Sequence, residues 1–371
     1  MNTPDFTSPT SSATTPELRH LRVGFVALTD AAPAIVAKTL EFGHRHGLTL
    51  ELCRQPSWAG IRDKLLCGEI DAAHALYGLV YGVQLGIGGP RADMAVLMVL
   101  NRNGQAITLS PRLAELIAAG HGVKDAFATL GRPPVLAQTF PTGTHAMWLY
   151  YWLAANGIDP LADVKSVVLP PPDMAAALAS GDLDGFCAGE PWHAVAESLG
   201  VGRIVTTTSE IWPDHPEKVL ACRRDFAARY PRTARALVAT MLEACRWLDE
   251  DPRHRASAAK WLATDDVIGV APERIAPRLL GGTGGAHARP IAFFDHGDVN
   301  YPRVSDGEWF ISQYRRWGLY DGDERDDAAI AAAINQTSLY RDSAMALGIA
   351  MPDDAERRVA RFCDGAVWPA G

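Results

Sequence analysis

Apolar residues along this chain gather into short runs divided by turn residues, and the runs alternate in period. Residues 21–28, LRVGFVAL, carry a strong strand signal. Asp30 then precedes AAPAIVAKTLEFGHRHG, whose apolar spacing predicts one helix stopping at Gly47. LTLELCRQP predicts a second strand, and SWAGIRDKLLCG a helix with Ser57 as its N-cap. IDAAHAL and AVLMVLNR add further strands. A βαβαβ opening of this kind implies a mostly parallel sheet covered by helices.

The pattern resumes after Pro111 with a polar helix, the strand VLAQTF and a helix from Thr144 to Asn156. KSVVLP, a helix capped by Asp173 and ending at Gly181, FCAGEPW and GRIVTTT complete a second, smaller α/β unit. Beyond Trp212 the chain turns helical, with FAARYPRTARALVATMLEACRWLDE as the longest stretch. The expected division is a flexible arm at 1–20, one lobe from 21–110 plus 211–371, and a second lobe at 111–210. Two crossings are expected near 105–112 and 206–212. DGDERDDAAIAAAINQTSLYRD, near the C-terminus, begins acidic and continues as an alanine-rich helix with a solvated face.

Composition narrows the function classes. The chain has 371 residues, Lys+Arg 35 against Asp+Glu 43, and a net charge of −8. That balance opposes general nucleic-acid binding, yet a small pocket inside an acidic protein still holds an anion if it is locally positive. Its length suits two lobes, and the mean hydropathy of −0.03 suits a soluble globule. The N-terminal MNTPDFTSPTSSATTPELRH shows no basic, apolar and cleavage regions in series, and no run approaches a membrane span. Six scattered cysteines without CxxC pairs suit free thiols in a reducing compartment, with one or two disulfides in an exported protein as the alternative. The expectation is cytoplasmic.

Most catalytic motifs are missing. GIGGP at 86–90 and GGTGG at 281–285 match neither a dinucleotide fingerprint nor a phosphate loop, and read as loops. Cys187, Glu190 and His193 have ligand-like spacing, but Pro191 interrupts them and a fourth ligand is lacking. His44 and His46 beside Arg45 do not make a metal site. There is no GxSxG elbow and no HExxH. No metal, cofactor or catalytic residue is expected.

Five segments are more specific: PSWAGIRDKLLCGEIDAAHAL, LNRNGQAITLS, TFPTGTHAMWLYYWLAANGIDP, VVLPPPDMAAALASGDLDGFCAGEPW and EIWPDHPEKVLACRRDF. In order and wording they resemble the nitrate- and bicarbonate-binding proteins of ABC importers, over about residues 20–320. The resemblance implies a two-lobed, type II periplasmic-binding-protein-like α/β fold that closes on a small planar anion. It is strongest to a leaderless cytoplasmic branch of nitrate/nitrite sensors, which partner an RNA-binding antiterminator of the receiver-like type.

Carried over residue by residue, the resemblance makes Trp58, Gln105, Gly143, Thr144, His145 and Lys218 the ligand set. An indole covers a flat anion and offers an N–H; otherwise Trp58 is a core aromatic. Gln105 is otherwise a loop amide. Gly143 to His145 open a helix, whose free N–H groups suit an anion, although His145 alone reads equally as a cap. Lys218 falls where the nitrate-type proteins carry lysine and the bicarbonate-type carry glutamate. It therefore favours nitrate or nitrite and argues against a required calcium ion; by itself it reads as a solvated lysine at a strand start. His74, Glu190 and Trp192 are cleft-lining candidates. Two alternatives remain: the receptor of a nitrate importer, and an enzyme on the same scaffold acting on a pyrimidine-like molecule.

Overall fold

The computed structural model describes residues 15–281, 289–352 and 358–369. Most of the expected N-terminal arm, and residues 282–285 of the GGTGG run, lie outside them. Strands β1 (His20–Val26), β2 (Thr49–Gln55), β3 (Ala72–Leu76) and β4 (Met94–Arg102) follow the predicted order. They are joined by β5 (Gln105–Leu109), β6 (Val135–Gln138), β7 (Lys165–Val168), β8 (Gly185–Gly189), β9 (Arg203–Thr207) and β10 (Pro216–Arg223). Two five-stranded sheets result, ordered β2-β1-β3-β10-β4 and β7-β6-β8-β5-β9. In the first, β1 runs parallel to β2 and β3, and β10 runs antiparallel to β3 and β4. The second repeats this design, with β5 antiparallel to β8 and β9.

The first lobe boundary differs from the expectation. Gln105–Leu109 pairs with β8 and β9, so this strand belongs to the second sheet and not to the 21–110 lobe. The crossing falls instead at Asn103 and Gly104, whose φ values of 60° and 97° break the apolar run. Left-handed backbone is what an Asn-Gly pair adopts at least cost. The return crossing lies beside it: the Asn103 N–H donates to His215 O at 3.2 Å, and the Asp214 N–H to Asn103 Oδ1 at 3.0 Å.

Several predicted helices are broken where local chemistry forbids continuation. The helix expected to Gly47 stops at Thr39 and resumes at Phe42, with Glu41 at φ 55° between them. Pro231 splits the long C-terminal helix into Arg224–Arg229 and Pro231–Glu250, since proline supplies no N–H. Asp173 lies in the first turn of Pro171–Ser180 rather than capping it; Pro170 holds the cap position. The alanine-rich helix ends at Ile334 because Asn335 turns inward, donating to Tyr77 Oη (2.6 Å) and to Arg303 O (2.8 Å). Ser57 does cap Trp58–Cys67, accepting from the Gly60 N–H at 3.2 Å. No helix among the described residues is long and apolar enough to cross a membrane.

The lobes meet on glycine. In the first lobe, helix Tyr77–Leu85 presents Gly78 and Gly82 to the second lobe's turn at Thr142. A Cβ on Gly78 would lie 2.3 Å from Thr142 O, and one on Gly82 2.0 Å from Thr142 Oγ1. Tyr314 Oη reaches both sides of this contact, 2.6 Å from Gly78 O and 2.8 Å from Thr142 O. Since a backbone carbonyl cannot retreat as a flexible side chain does, Gly78→Ala is expected to destabilise the protein by about 1–3 kcal/mol. Urea denaturation measures this, and an unchanged midpoint would show that the lobes part freely at this contact.

Candidate functional site

The first lobe contributes Asp30 just beyond β1, Trp58 at a helix start, His74 within β3, and Lys218 near the start of β10. Because β10 is antiparallel to β3, its start lies beside the carboxyl end of β3, where open α/β sheets hold ligands. The second lobe brings Gln105 at the start of β5 and His145 in the first turn of helix Thr144–Ala155. All of these residues are buried.

Lys218 is fully buried rather than solvated, and it joins the lobes. Its Nζ lies 2.8 Å from Asp30 Oδ2, 2.8 Å from Glu217 Oε1 and 3.5 Å from His145 Nε2. It also lies 5.6 Å from the Trp58 ring centroid, within cation–π range. Burial lowers the ammonium's pKa, but the two carboxylates overcome this and leave it above its ordinary value. Burial likewise pushes the Asp30 carboxyl up, and Lys218 with His74 brings it below the usual range. Glu217 is drawn well below that range by Lys218 and His145, against the same burial. The cluster is thus charged: one ammonium between two carboxylates.

Sequence reasoning missed Glu217. Alternation along a strand would point it away from Lys218. However, Pro216 pairs with Arg102 and Lys218 with Asn101, so Glu217 is an extra residue in a β-bulge. Bulges re-aim side chains in this way. The Glu217 carboxylate accepts from Thr144 Oγ1 at 2.5 Å and from Trp148 Nε1 at 2.8 Å, and lies 3.2 Å from His145 Nε2. The helix start expected to greet an outside anion therefore already holds a carboxylate of its own chain. Asp30 carries no sequence signal beyond preceding a helix, and its partnership with Lys218 leaves no local signature.

The predicted residues consequently divide. The Gly143 N–H donates to Phe140 O at 2.8 Å, and the Thr144 hydroxyl to Glu217, so neither of these donors is free. His145 Nδ1 is 2.6 Å from Thr139 Oγ1, and burial with the nearby Lys218 charge lowers its pKa. Gln105 Nε2 donates to Asp30 Oδ2 at 3.2 Å. Among the described residues, Trp58 Nε1 is buried with no hydrogen-bond partner, as is His74 Nδ1, while His74 Nε2 lies 2.9 Å from Asp30 Oδ1. Those two ring nitrogens are polar atoms of the cluster that the chain itself leaves unsatisfied.

Glu190 and Trp192 clamp the lobes instead of facing Lys218. Trp192 Nε1 donates to Ala27 O at 3.0 Å, and the Thr29 N–H to Glu190 O at 2.7 Å. Glu190 Oε1 is 2.8 Å from Arg278 Nε, yet burial still raises its carboxyl to about 7. His193 sits between Thr108 Oγ1 and Ala188 O, not beside a metal. Among the described residues no cluster of His, Cys, Asp and Glu is disposed to hold a metal ion.

The profile of the NMT1-like family matches residues 14–263, well over half of the chain. The chain belongs to the NMT1-like family. Within this family it is 35% identical over 369 residues to the nitrate/nitrite binding protein NrtA of Synechocystis, covering 94% of this chain and 82% of that protein. It is 38% identical over 314 residues to the nitrate import ATP-binding protein NrtC of the same organism, covering 81% of this chain but only 46% of that longer protein. The crystal structure of the periplasmic nitrate-binding protein NrtA from Synechocystis superposes with a TM-score of 0.88 at 34% identity, over 95% of this chain and 96% of that one. This NMT1-like chain therefore has the two-lobed periplasmic-binding-protein-like fold that its segments implied.

Removing Lys218 would leave two buried carboxylates facing one another. Lys218→Met is expected to cost about 3–5 kcal/mol at neutral pH, as breaking a buried pair does. Chemical denaturation at pH 7.5 tests this, and a loss under 1 kcal/mol would mean that the pair behaves as a surface one.

Proposed function

We propose that this protein binds nitrate or nitrite between its lobes and acts as a cytoplasmic sensor. Its ligand state decides whether it holds or releases an RNA-binding transcription antiterminator of the receiver-like type. The anion reading rests chiefly on one observation: a buried ammonium, Lys218, beside the unpartnered N–H of Trp58. It is supported by homology to proteins named for binding nitrate and nitrite. A flat anion against the indole accepts from Nε1, and Lys218 supplies the nearest positive charge. The protein's role is binding, not catalysis.

The sensor role rests on the resemblance of the five segments, in which the anion-free form holds the antiterminator. The net charge of −8 complements a partner with a basic face. An anion shifts the balance of lobe arrangements only by binding one of them better, and the site draws its residues from both lobes. The names of the relatives favour a second reading, the receptor of a nitrate importer. Both readings share the binding step and part at the partner.

Titration calorimetry against nitrate, nitrite, bicarbonate and chloride tests that step, and failure of both nitrogen oxyanions to bind would remove it. Trp58→Phe keeps the ring and deletes the N–H, so nitrate affinity is expected to fall about tenfold or more, the worth of a hydrogen bond to a charged group. Co-purification with the antiterminator separates the roles: a complex formed without nitrate and dissolved by it is expected. Absence of a complex in either condition would leave the importer receptor as the reading.

A further inference from the structure

We propose that His74 takes up a proton as the interlobe site takes up its anion, so that its Nδ1–H becomes a donor to that ligand. The inference rests on the anion-binding reading above and adds a residue and a proton to it. It begins with charge. With Asp30 and Glu217 ionised and Lys218 protonated, as their 2.8 Å ion pairs favour, the buried cluster carries −1 before any ligand arrives. A monovalent anion would bring it to −2 in a region closed to solvent, which low-dielectric surroundings penalise heavily. One added proton returns the sum to −1.

Geometry selects the carrier. Among the described residues, three buried imidazoles adjoin the cluster: His74, His145 and His215. His145 has Thr139 Oγ1 at Nδ1, with Glu217 and Lys218 at Nε2. His215 has Pro216 O at Nδ1 (3.1 Å) and Thr208 Oγ1 at Nε2 (2.8 Å). His74 has a partner on one side only. Its Nε2 faces the Asp30 carboxylate at 2.9 Å, an acceptor that places the ring proton there. Nδ1 then presents a lone pair, buried and without a partner, which would repel an anion. Protonation turns that lone pair into a donor. The His74 ring centroid lies 5.6 Å from that of Trp58, whose indole N–H is also unpartnered and whose ring centroid lies 5.6 Å from Lys218 Nζ.

The charges facing His74 are Asp30, Lys218 and Glu217. Burial and the Lys218 charge lower the ring's pKa in the ligand-free site, against Asp30 and Glu217. A bound anion adds a further negative charge to the side favouring the protonated ring, and the pKa rises in the complex. Binding is then tighter at lower pH, across the interval between the free and bound pKa values.

The test is calorimetry of the full chain with sodium nitrate, at one pH in Tris and in imidazole, whose ionisation heats differ. About one proton is expected to enter per nitrate bound, with Kd rising up to about tenfold per pH unit across that interval. His74→Asn retains an amide donor but cannot titrate, so it is expected to bind nitrate with no uptake and a flat pH profile. Should that variant not fold, 15N imidazole spectra of the wild-type chain serve, one histidine becoming doubly protonated on nitrate addition. Nitrate binding without proton uptake, or uptake unchanged in His74→Asn, overturns the role of His74 and leaves the anion reading standing. Absence of nitrate binding from pH 6 to 8 removes that reading and this proposal together.

Discussion

The Lys218 ammonium, buried between Asp30 and Glu217, is the interaction on which the junction of the two lobes turns. None of the three groups is tolerable alone in such a place, and together they still need hydrogen bonds to their remaining valences. Gln105 and His74 meet Asp30, while Thr144 and Trp148 meet Glu217. Gln105, Thr144 and Trp148 belong to the second lobe, so satisfying a first-lobe ion pair draws the second lobe onto it. Shape follows from electrostatics here.

Close approach makes that possible. Gly78 and Gly82 remove the side chains that would hold helix Tyr77–Leu85 away from Thr142, and Gly143 does the same against Leu76. The clamp of Trp192 on Ala27 O and of Glu190 on Arg278 adds polar contacts at a neighbouring point of the junction. An apolar interface of the same area would slide more readily; directed hydrogen bonds give this one a single register.

The same cluster shapes the chemistry of recognition. A lysine already neutralised twice is a weaker attractor for an anion than an isolated one, which shifts attention to donors without partners. Trp58 Nε1 is one, and His74 Nδ1 becomes another only when protonated. The family and the fold are shared with nitrate-binding relatives.

Much of the secondary structure was legible in the chain. The apolar runs located β1 to β4 and β6 to β9 but not β5, and β10 interrupts a stretch that reads as turning helical beyond Trp212; Ser57 marked a helix start, and Gly181 a helix end with φ 82°. These are local effects, since periodicity, capping and left-handed glycine act within a few residues. The five recognisable segments likewise pointed to Trp58, Gln105, His145 and Lys218, which do gather at one junction. Tertiary structure decided what lay beyond local reach. It placed Gln105–Leu109 in the second sheet, broke the helices at Glu41 and Asn335, and turned Glu217 inward through a bulge. It also fully buried a solvated-looking lysine, because Lys218 on β10 meets Asp30, in the turn after β1, only once β3 has paired with both strands. Periodicity is a property of neighbours along the chain, whereas charge compensation and register are properties of neighbours in space.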